Sequence, residues 1–183
     1  SEVSGVVNAE FLKAAINSKR ETPIKLFEFY RQLESASKKV NIPMEMANRF
    51  LNEGFSGGEK KRNEILQLLL LKPDFAMLDE IDSGLDVDAI NVVANAIKEL
   101  EQTDMSFLVV SHYARLYQLI HPTRAVIMIN GRIALDGDTS LIKRIDEEGY
   151  EWIKKEYGIE INKEEAVMNT VSIGSCAVKQ VIK

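Results

Sequence analysis

Between Gly54 and Asp88 the chain reads GFSGGEKKRNEILQLLLLKPDFAMLDEIDSGLDVD, and this order of local signals leaves few folds open. Ser56 and Glu59 have the S-x-x-E spacing of a capping box, so a helix starts at Ser56 with Gly57 and Gly58 in its first turn. Glycines there let another molecule approach backbone N–H groups that have no partner inside the helix, and the helix dipole favours an anion such as a phosphate. An ordinary capped helix has the same spelling. The helix closes in the apolar run Leu66 to Leu71, and Lys72-Pro73-Asp74 breaks it. Phe75 to Leu78 then reads as a short strand buried on both faces, leading straight into Asp79 and Glu80. At the carboxyl end of a buried parallel strand two adjacent acids stand where open α/β sheets bind ligands, and a cation or a polarised water accounts for them. Surface acids opening a loop are the alternative. Ser83-Gly84-Leu85-Asp86 forms a turn, with Asp86 the N-cap of the next helix.

The segment before Ser56 reads as all helical. Ser1 to Gly5 is a loop, and Asn8 caps a helix to about Arg20. Thr22-Pro23 opens a second helix whose buried face carries Leu26, Phe27, Tyr30 and Leu33, and Pro43 starts a third with Met44, Met46, Phe50 and Leu51. Methionines and aromatics at this spacing are core residues rather than a cofactor site. After Asp86 a helix with Ala89, Val93, Ala96, Ile97 and Leu100 on one face leads to the strand Ser106 to Val110, which delivers Ser111 and His112 to the same sheet edge as Asp79 and Glu80 if the two strands are parallel. Asn130-Gly131 joins two short strands as a β-hairpin. Asp138-Thr139-Ser140 caps a helix that breaks at Gly149 and resumes through Trp152, a packing residue.

At 183 residues and 45% apolar content the chain is long enough for one domain or a large piece of one. No apolar run approaches the roughly 20 residues that span a bilayer, and no secretory signal peptide opens the chain. A net charge of -5 argues against a protein that coats nucleic acid. Cys176 is the only cysteine, which excludes an internal disulfide, offers no metal-ligand cluster and fits a reducing compartment.

FSGGEKKR followed by FAMLDE, SGLD and VVSHY resembles, in content, order and spacing, the nucleotide-binding domain of ATP-binding-cassette (ABC) ATPases. Within that superfamily the wording GFSGGEKKRNEILQ with LDEIDSGLDVDA is similar to the SufC group, the ABC-type ATPases of the SUF iron-sulfur cluster assembly system. The similarity runs from about Val3 to the GYEWI ending at Ile153. It implies an α/β fold, a partial P-loop NTPase of the ABC type: a helical subdomain at 1–72 that contacts partner proteins and carries the signature turn, then a catalytic part at 73–157 with a mainly parallel sheet, flanking helices and a terminal β-hairpin. Residues 158–183 form a tail outside the family pattern, which as a strand or a mobile end is left open.

The resemblance also implies the chemistry. ATP and Mg²⁺ are the expected ligands, with Asp79 holding the metal through a water, Glu80 orienting or deprotonating the attacking water, and His112 contacting the γ-phosphate. Ser56, Gly57, Gly58 and Glu59 close on the phosphates of a nucleotide held by a second ATPase subunit, and Ser83, Gly84 and Asp86 lie at that transient dimer interface. Scaffold proteins resembling SufB and SufD are the implied partners, with no nucleic acid, no membrane insertion, and a cytoplasmic or organelle-stromal location.

One part is missing. No G-x-x-x-x-G-K-[ST] occurs, and no glycine is followed by Lys-Ser or Lys-Thr. The expectation is the carboxyl-terminal part of a longer ATPase, inactive alone and less stable than the whole domain because sheet edges and apolar faces are left open. Three alternatives stand beside it: the ATP-binding subunit of a membrane transporter, the carboxyl-terminal half of a chromosome-structuring ATPase, and a non-catalytic binding module. The second of these calls for a long heptad-patterned helix leading into Ser56, whereas Pro23 and Pro43 punctuate that segment.

Overall fold

A computed structural model describes residues 2–103, 105–111 and 113–159. The chain opens not with a loop but with strand β1 (Val3–Val7), which pairs antiparallel with the short β2 (Phe50–Leu51). Between them lie α1 (Asn8–Asn17), α2 (Leu26–Lys39) and a 3-10 turn (Met44–Asn48). Asn8 does not cap α1. Val7 holds the cap position without a side-chain bond, and the Asn8 amide is fully buried.

α2 starts at Leu26 rather than at Pro23, and its buried face differs from the expected one. Phe29, Leu33 and Ala36 are buried with Val40 just beyond the helix, whereas Leu26 and Tyr30 are exposed and Phe27 is 82% exposed. Two apolar stripes overlap in this sequence. The one spaced 29, 33, 36, 40 runs the whole helix, while Leu26, Phe27 and Tyr30 cover only its first turns, so burying the longer stripe removes more apolar surface from water.

The central run follows the sequence closely. α3 (Gly57–Leu71) ends at Lys72, which takes left-handed backbone angles before Pro73. β3 (Phe75–Asp79) follows, then α4 (Val87–Glu101) with Asp86 as its N-cap, and β4 (Ser106–Val110). β3 and β4 pair in parallel, Phe75 opposite Ser106 and Asp79 opposite Val110. The expected burial of β3 on both faces is not found. Ala76 and Leu78 are buried, but Phe75 is 53% and Met77 70% exposed, and Leu108 and Val110 of β4 extend the same open apolar face. Helices cover one face of the pair, and nothing among the described residues covers the other.

Beyond α5 (Ala114–Ile120) come β5 (Ala125–Ile129) and β6 (Arg132–Gly137), joined by Asn130 and Gly131 at φ 51° and 73°. Positive φ at both central residues is the type I′ hairpin that Asn-Gly spells. α6 (Ser140–Glu148), Gly149 and α7 (Glu151–Tyr157) close the described part, with Asp138 accepting the Ser140 N–H at 2.8 Å. Trp152 is buried against Ile127, Ile129 and Ile153, with the Arg144 guanidinium over its ring at 3.8 Å. Among the described residues the strands form three two-stranded sheets, so the parallel part of the fold is the single pair β3–β4. The main core joins α1, α2, α3, α4 and α5 around Leu12, Phe29, Leu33, Ile65, Leu66, Val93, Leu100 and Leu116. It fixes the two places where candidate site residues stand: the amino end of α3 and the carboxyl edge of β3 and β4.

Candidate functional site

The amino end of α3 is a complete capping box. The Glu59 carboxylate accepts the Ser56 N–H at 2.8 Å, and the Ser56 hydroxyl accepts the Glu59 N–H at 3.3 Å. The Ser56 N–H, and then the Ser56 side chain, hold the Glu59 carboxyl below its ordinary value of 4.5. Gly57 and Gly58 follow in the first turn, and among the described residues neither N–H has a hydrogen-bond partner. A Cβ at Gly57 would meet nothing within 4 Å, so the approach to these donors is open. At Gly58 a Cβ would touch the Leu85 side chain at 3.6 Å, which places the Ser83–Asp86 turn against the start of α3.

Two features hold the chain leading into this turn. Gly54 has φ +66° and lies so close to Arg49 that a Cβ would stand 2.9 Å from its guanidinium, and that guanidinium lies over the Phe55 ring at 5.6 Å. Beneath it runs a buried amide ladder: Asn8 Nδ2 donates to Asn63 Oδ1 at 3.0 Å, and Asn63 Nδ2 donates to Asn52 Oδ1 at 3.1 Å. α1, the turn at Asn52 and α3 are thereby tied together under Ser56. Sequence reasoning missed this ladder, though Asn63 carries a legible signal as a polar residue at helical spacing from the buried Leu66.

The second place is the carboxyl edge of the parallel pair. Asp79 ends β3, and the Glu80 N–H donates to the Val110 carbonyl at 2.9 Å, so both acids and Ser111 come to one edge, as the sequence suggested. Both acids are exposed. Glu80 has φ +47°, the left-handed region that non-glycine residues avoid, and such strain persists where the surroundings enforce it. His112 lies outside the described residues, as do Cys176 and all of the 158–183 tail beyond Ile159. The turn is closed by the Ser83 N–H on the Glu80 carbonyl (3.1 Å) and the Leu85 N–H on the Asp82 carbonyl (3.2 Å). Asp86 spends its carboxylate on the Ala89 N–H at 2.8 Å, capping α4.

Asp82 is the residue at this edge that sequence reasoning missed. It is 1% exposed and accepts the Ser111 hydroxyl at 2.6 Å on Oδ2, and among the described residues its buried Oδ1 has no partner. Ser111 is held in turn by Tyr117, whose hydroxyl accepts the Ser111 N–H at 2.7 Å and lies 3.0 Å from the Ser111 carbonyl. Burial, foremost, pushes the Tyr117 hydroxyl above its usual value, so it stays protonated as a donor. In the sequence Asp82 reads as part of a turn, D-S-G, and nothing local marks it as buried.

Among the described residues no group of three or more His, Cys, Asp or Glu side chains could hold an ion. One carboxylate, with phosphate oxygens and waters supplying the other positions, is how Mg²⁺ is commonly bound, and an exposed Asp79 fits that mode.

No family model matches the chain. It is 49% identical over 162 residues to Vegetative protein 296 of Bacillus subtilis, covering 87% of this chain and 62% of that protein. It is 48% identical over 166 residues to a probable ABC transporter ATP-binding protein of Streptococcus pyogenes serotype M18, covering 90% and 65%. To the iron-sulfur cluster assembly protein SufC of Plasmodium falciparum it is 46% identical over 159 residues, covering 85% and 46%. The chain thus spans less than two thirds of the length of each of these relatives. Among solved structures, an ATP-binding subunit of an ABC transporter superimposes with a TM-score of 0.67 at 22% identity, over 84% of this chain and 65% of that one. A dimeric post-hydrolysis structure of an ATP-binding cassette bound to ADP and phosphate gives 0.65 at 17% identity, over 75% and 59%. The fold is that of an ABC ATPase cassette, a P-loop NTPase fold present here in part.

Proposed function

We propose that this chain, whose relatives are ABC ATPases and whose fold is theirs, is the carboxyl-terminal part of the ATP-hydrolysing subunit of an iron-sulfur cluster assembly complex of the SUF type. The observation that carries the ATPase reading is the pairing of an open glycine turn at the start of α3 with two acids at the end of β3. The iron-sulfur assignment rests on the 46% identity to the Plasmodium SufC protein. A chloroplastic ABC transporter I family member of Arabidopsis thaliana, 47% identical over 156 residues, is compatible with a stromal as well as a cytoplasmic location. No helix among the described residues is long and apolar enough to cross a membrane.

In this reading residues 1–72 act as the helical subdomain and 73–157 as the catalytic part. Hydrolysis of ATP is mostly positioning and neutralisation of charge, with the phosphate loop supplied by a segment outside this sequence. Mg²⁺, when bound, would neutralise charge on the phosphates, and Asp79 would hold it through a water. Glu80 orients the attacking water and takes its proton. His112 contacts the γ-phosphate. The free N–H groups of Gly57 and Gly58, with the Ser56 hydroxyl, close on the phosphates of a nucleotide bound to a second subunit, while Glu59 keeps Ser56 in place. Ser83, Gly84 and Asp86 lie at the interface between subunits. Dimerisation driven by ATP then reshapes SufB- and SufD-like scaffolds on the helical subdomain, and the isolated chain neither binds ATP tightly nor hydrolyses it. Cys176 is not needed as a cluster ligand.

The transporter reading has an observation of its own, the 48% identity to the streptococcal protein named as a probable ABC transporter ATP-binding protein. Affinity purification of the longer protein from its host separates the two. Recovery with water-soluble scaffold proteins is the expected result, and recovery with integral membrane proteins in the membrane fraction would replace it with the transporter. The chromosome-structuring alternative calls for a long heptad-patterned helix leading into Ser56, and a 3-10 turn, the two-residue β2 and a glycine turn stand there instead.

A further inference from the structure

Between β2 and Ser56 stand Asn52, Glu53, Gly54 and Phe55, and Asn52 and Gly54 take left-handed backbone angles, at φ 61° and 66°. A glycine leaves that region at little cost, so its neighbours must fix this link. Its own backbone bonds do so weakly: the Glu53 N–H meets the Phe50 carbonyl at 3.1 Å, but the Phe55 N–H meets the Asn52 carbonyl only at 3.4 Å. α3 is held independently, with Ile65, Leu66 and Leu69 in the core. What the link decides is how Ser56 stands at the helix's open end.

Two side chains close on the link. One is Asn63 of α3, whose Nδ2 donates to Asn52 Oδ1 at 3.1 Å. The other is Arg49, and its backbone is itself fixed: the carbonyl accepts the Asn8 N–H at 2.9 Å, and the N–H donates to the Met46 carbonyl at 3.3 Å. The guanidinium lies against Gly54, where an added Cβ would stand 2.9 Å from Nη2, and over the ring of the buried Phe55 at 5.6 Å. Arg49 is exposed, and among the described residues no carboxylate lies within ion-pair distance of it. An exposed cation over one ring adds little to stability, so stability is a weak reason for this placement. The guanidinium also stands near the capping box. The Glu59 carboxyl is held low first by the Ser56 N–H and then by the Ser56 side chain, and to a smaller extent by the charges of Arg62 and Arg49.

We propose that Arg49 is a positioning residue for ATP hydrolysis: by covering Gly54 and Phe55 with its guanidinium it sets the Ser56 hydroxyl for the phosphates of a nucleotide bound to the second subunit. This rests on the ATPase reading above. Arg49 touches no substrate and acts through the turn. The turn meets the nucleotide only when two subunits close on it, so Arg49 serves kcat and leaves the binding of nucleotide to its own subunit unchanged. What the position requires is a planar cation that lies over a ring and fills the space beside Gly54, and an ammonium group has no such plane.

The test uses the longer protein and reads ATP turnover, nucleotide affinity and the urea midpoint. Arg49→Ala is expected to lower kcat about tenfold with affinity and midpoint nearly unchanged, Arg49→Lys to recover little of the loss, and the loss to shrink to about twofold in a Phe55→Leu background. Mixing then identifies the site that Arg49 serves. With Glu80→Gln subunits, whose Ser56 turn is intact, Arg49→Ala should recover about a quarter of the parent rate, whereas with Ser56→Arg subunits it should stay at the average of its components. An unchanged kcat, full recovery with lysine, a loss of affinity in place of kcat, a loss independent of Phe55, or rescue by Ser56→Arg would each overturn the proposal. The mixture of Ser56→Arg with Glu80→Gln separates the two claims: its failure removes the two-subunit reading, and its success beside failed rescue of Arg49→Ala by Glu80→Gln removes the role of Arg49 alone.

Discussion

Replacing Glu80 by glutamine in the longer protein is expected to lower kcat for ATP by about 10²- to 10⁴-fold while leaving nucleotide affinity nearly unchanged. Glutamine keeps the size and the hydrogen-bonding reach of the side chain but takes no proton from water. The backbone argues that this position is built for a purpose. At φ +47° Glu80 carries strain of about 1–2 kcal/mol, held by its N–H on the Val110 carbonyl and by the Ser83 N–H on its own carbonyl. A glycine would relax that strain, and its absence from a loop this tight is informative only because the side chain stands beside Asp79 at the sheet edge. Steady-state kinetics with a separate nucleotide-binding titration gives the answer. A rise in KM with kcat unchanged would make Glu80 a binding residue and remove it from the chemistry.

Ser111→Ala is expected to destabilise the protein by about 3 kcal/mol, a large loss for one hydroxyl. Asp82 is buried, and among the described residues its Oδ1 has no partner while its Oδ2 accepts the Ser111 hydroxyl at 2.6 Å. Removing that donor leaves a buried carboxylate unsolvated, which costs far more than an ordinary surface hydrogen bond. The cause can be isolated. In an Asp82→Asn background the same Ser111→Ala change should cost only about 1 kcal/mol, because a neutral amide tolerates burial better. Urea denaturation of the four proteins of this cycle measures both numbers. Equal costs in the two backgrounds would mean that the charge of Asp82 plays no part in holding the turn to β4.

What the sequence made legible was local. The Ser56–Glu59 box, the Asp86 cap and the Asn130-Gly131 hairpin are each decided by a few neighbouring residues, and each stands where the spelling puts it. The acids at the end of β3 were legible because an apolar run that stops abruptly at two charges marks a strand edge. What failed depended on partners distant in sequence. Asn8 has the spelling of a helix cap, but its amide meets Asn63, 55 residues on. β3 is apolar on both faces and so reads as doubly buried, yet the covering of Phe75 and Met77 is a matter of what packs there. Asp82 shows the same limit. Its hydrogen-bond partner is Ser111, 29 residues away, and a D-S-G triplet contains no trace of that contact.

The central claim is that the Ser56 turn of one subunit completes the site whose Glu80 belongs to another. Complementation tests it most directly. Two versions of the longer protein, one with Ser56→Arg and one with Glu80→Gln, are assayed for ATP turnover separately and as an equal mixture. Each alone should be inactive. Mixed, they should recover about a quarter of the parent rate, since half of randomly formed dimers pair the two variants and each such dimer has one intact site. A mixture as inactive as its components, under conditions where the subunits associate, would place Ser56 and Glu80 in the same subunit's site.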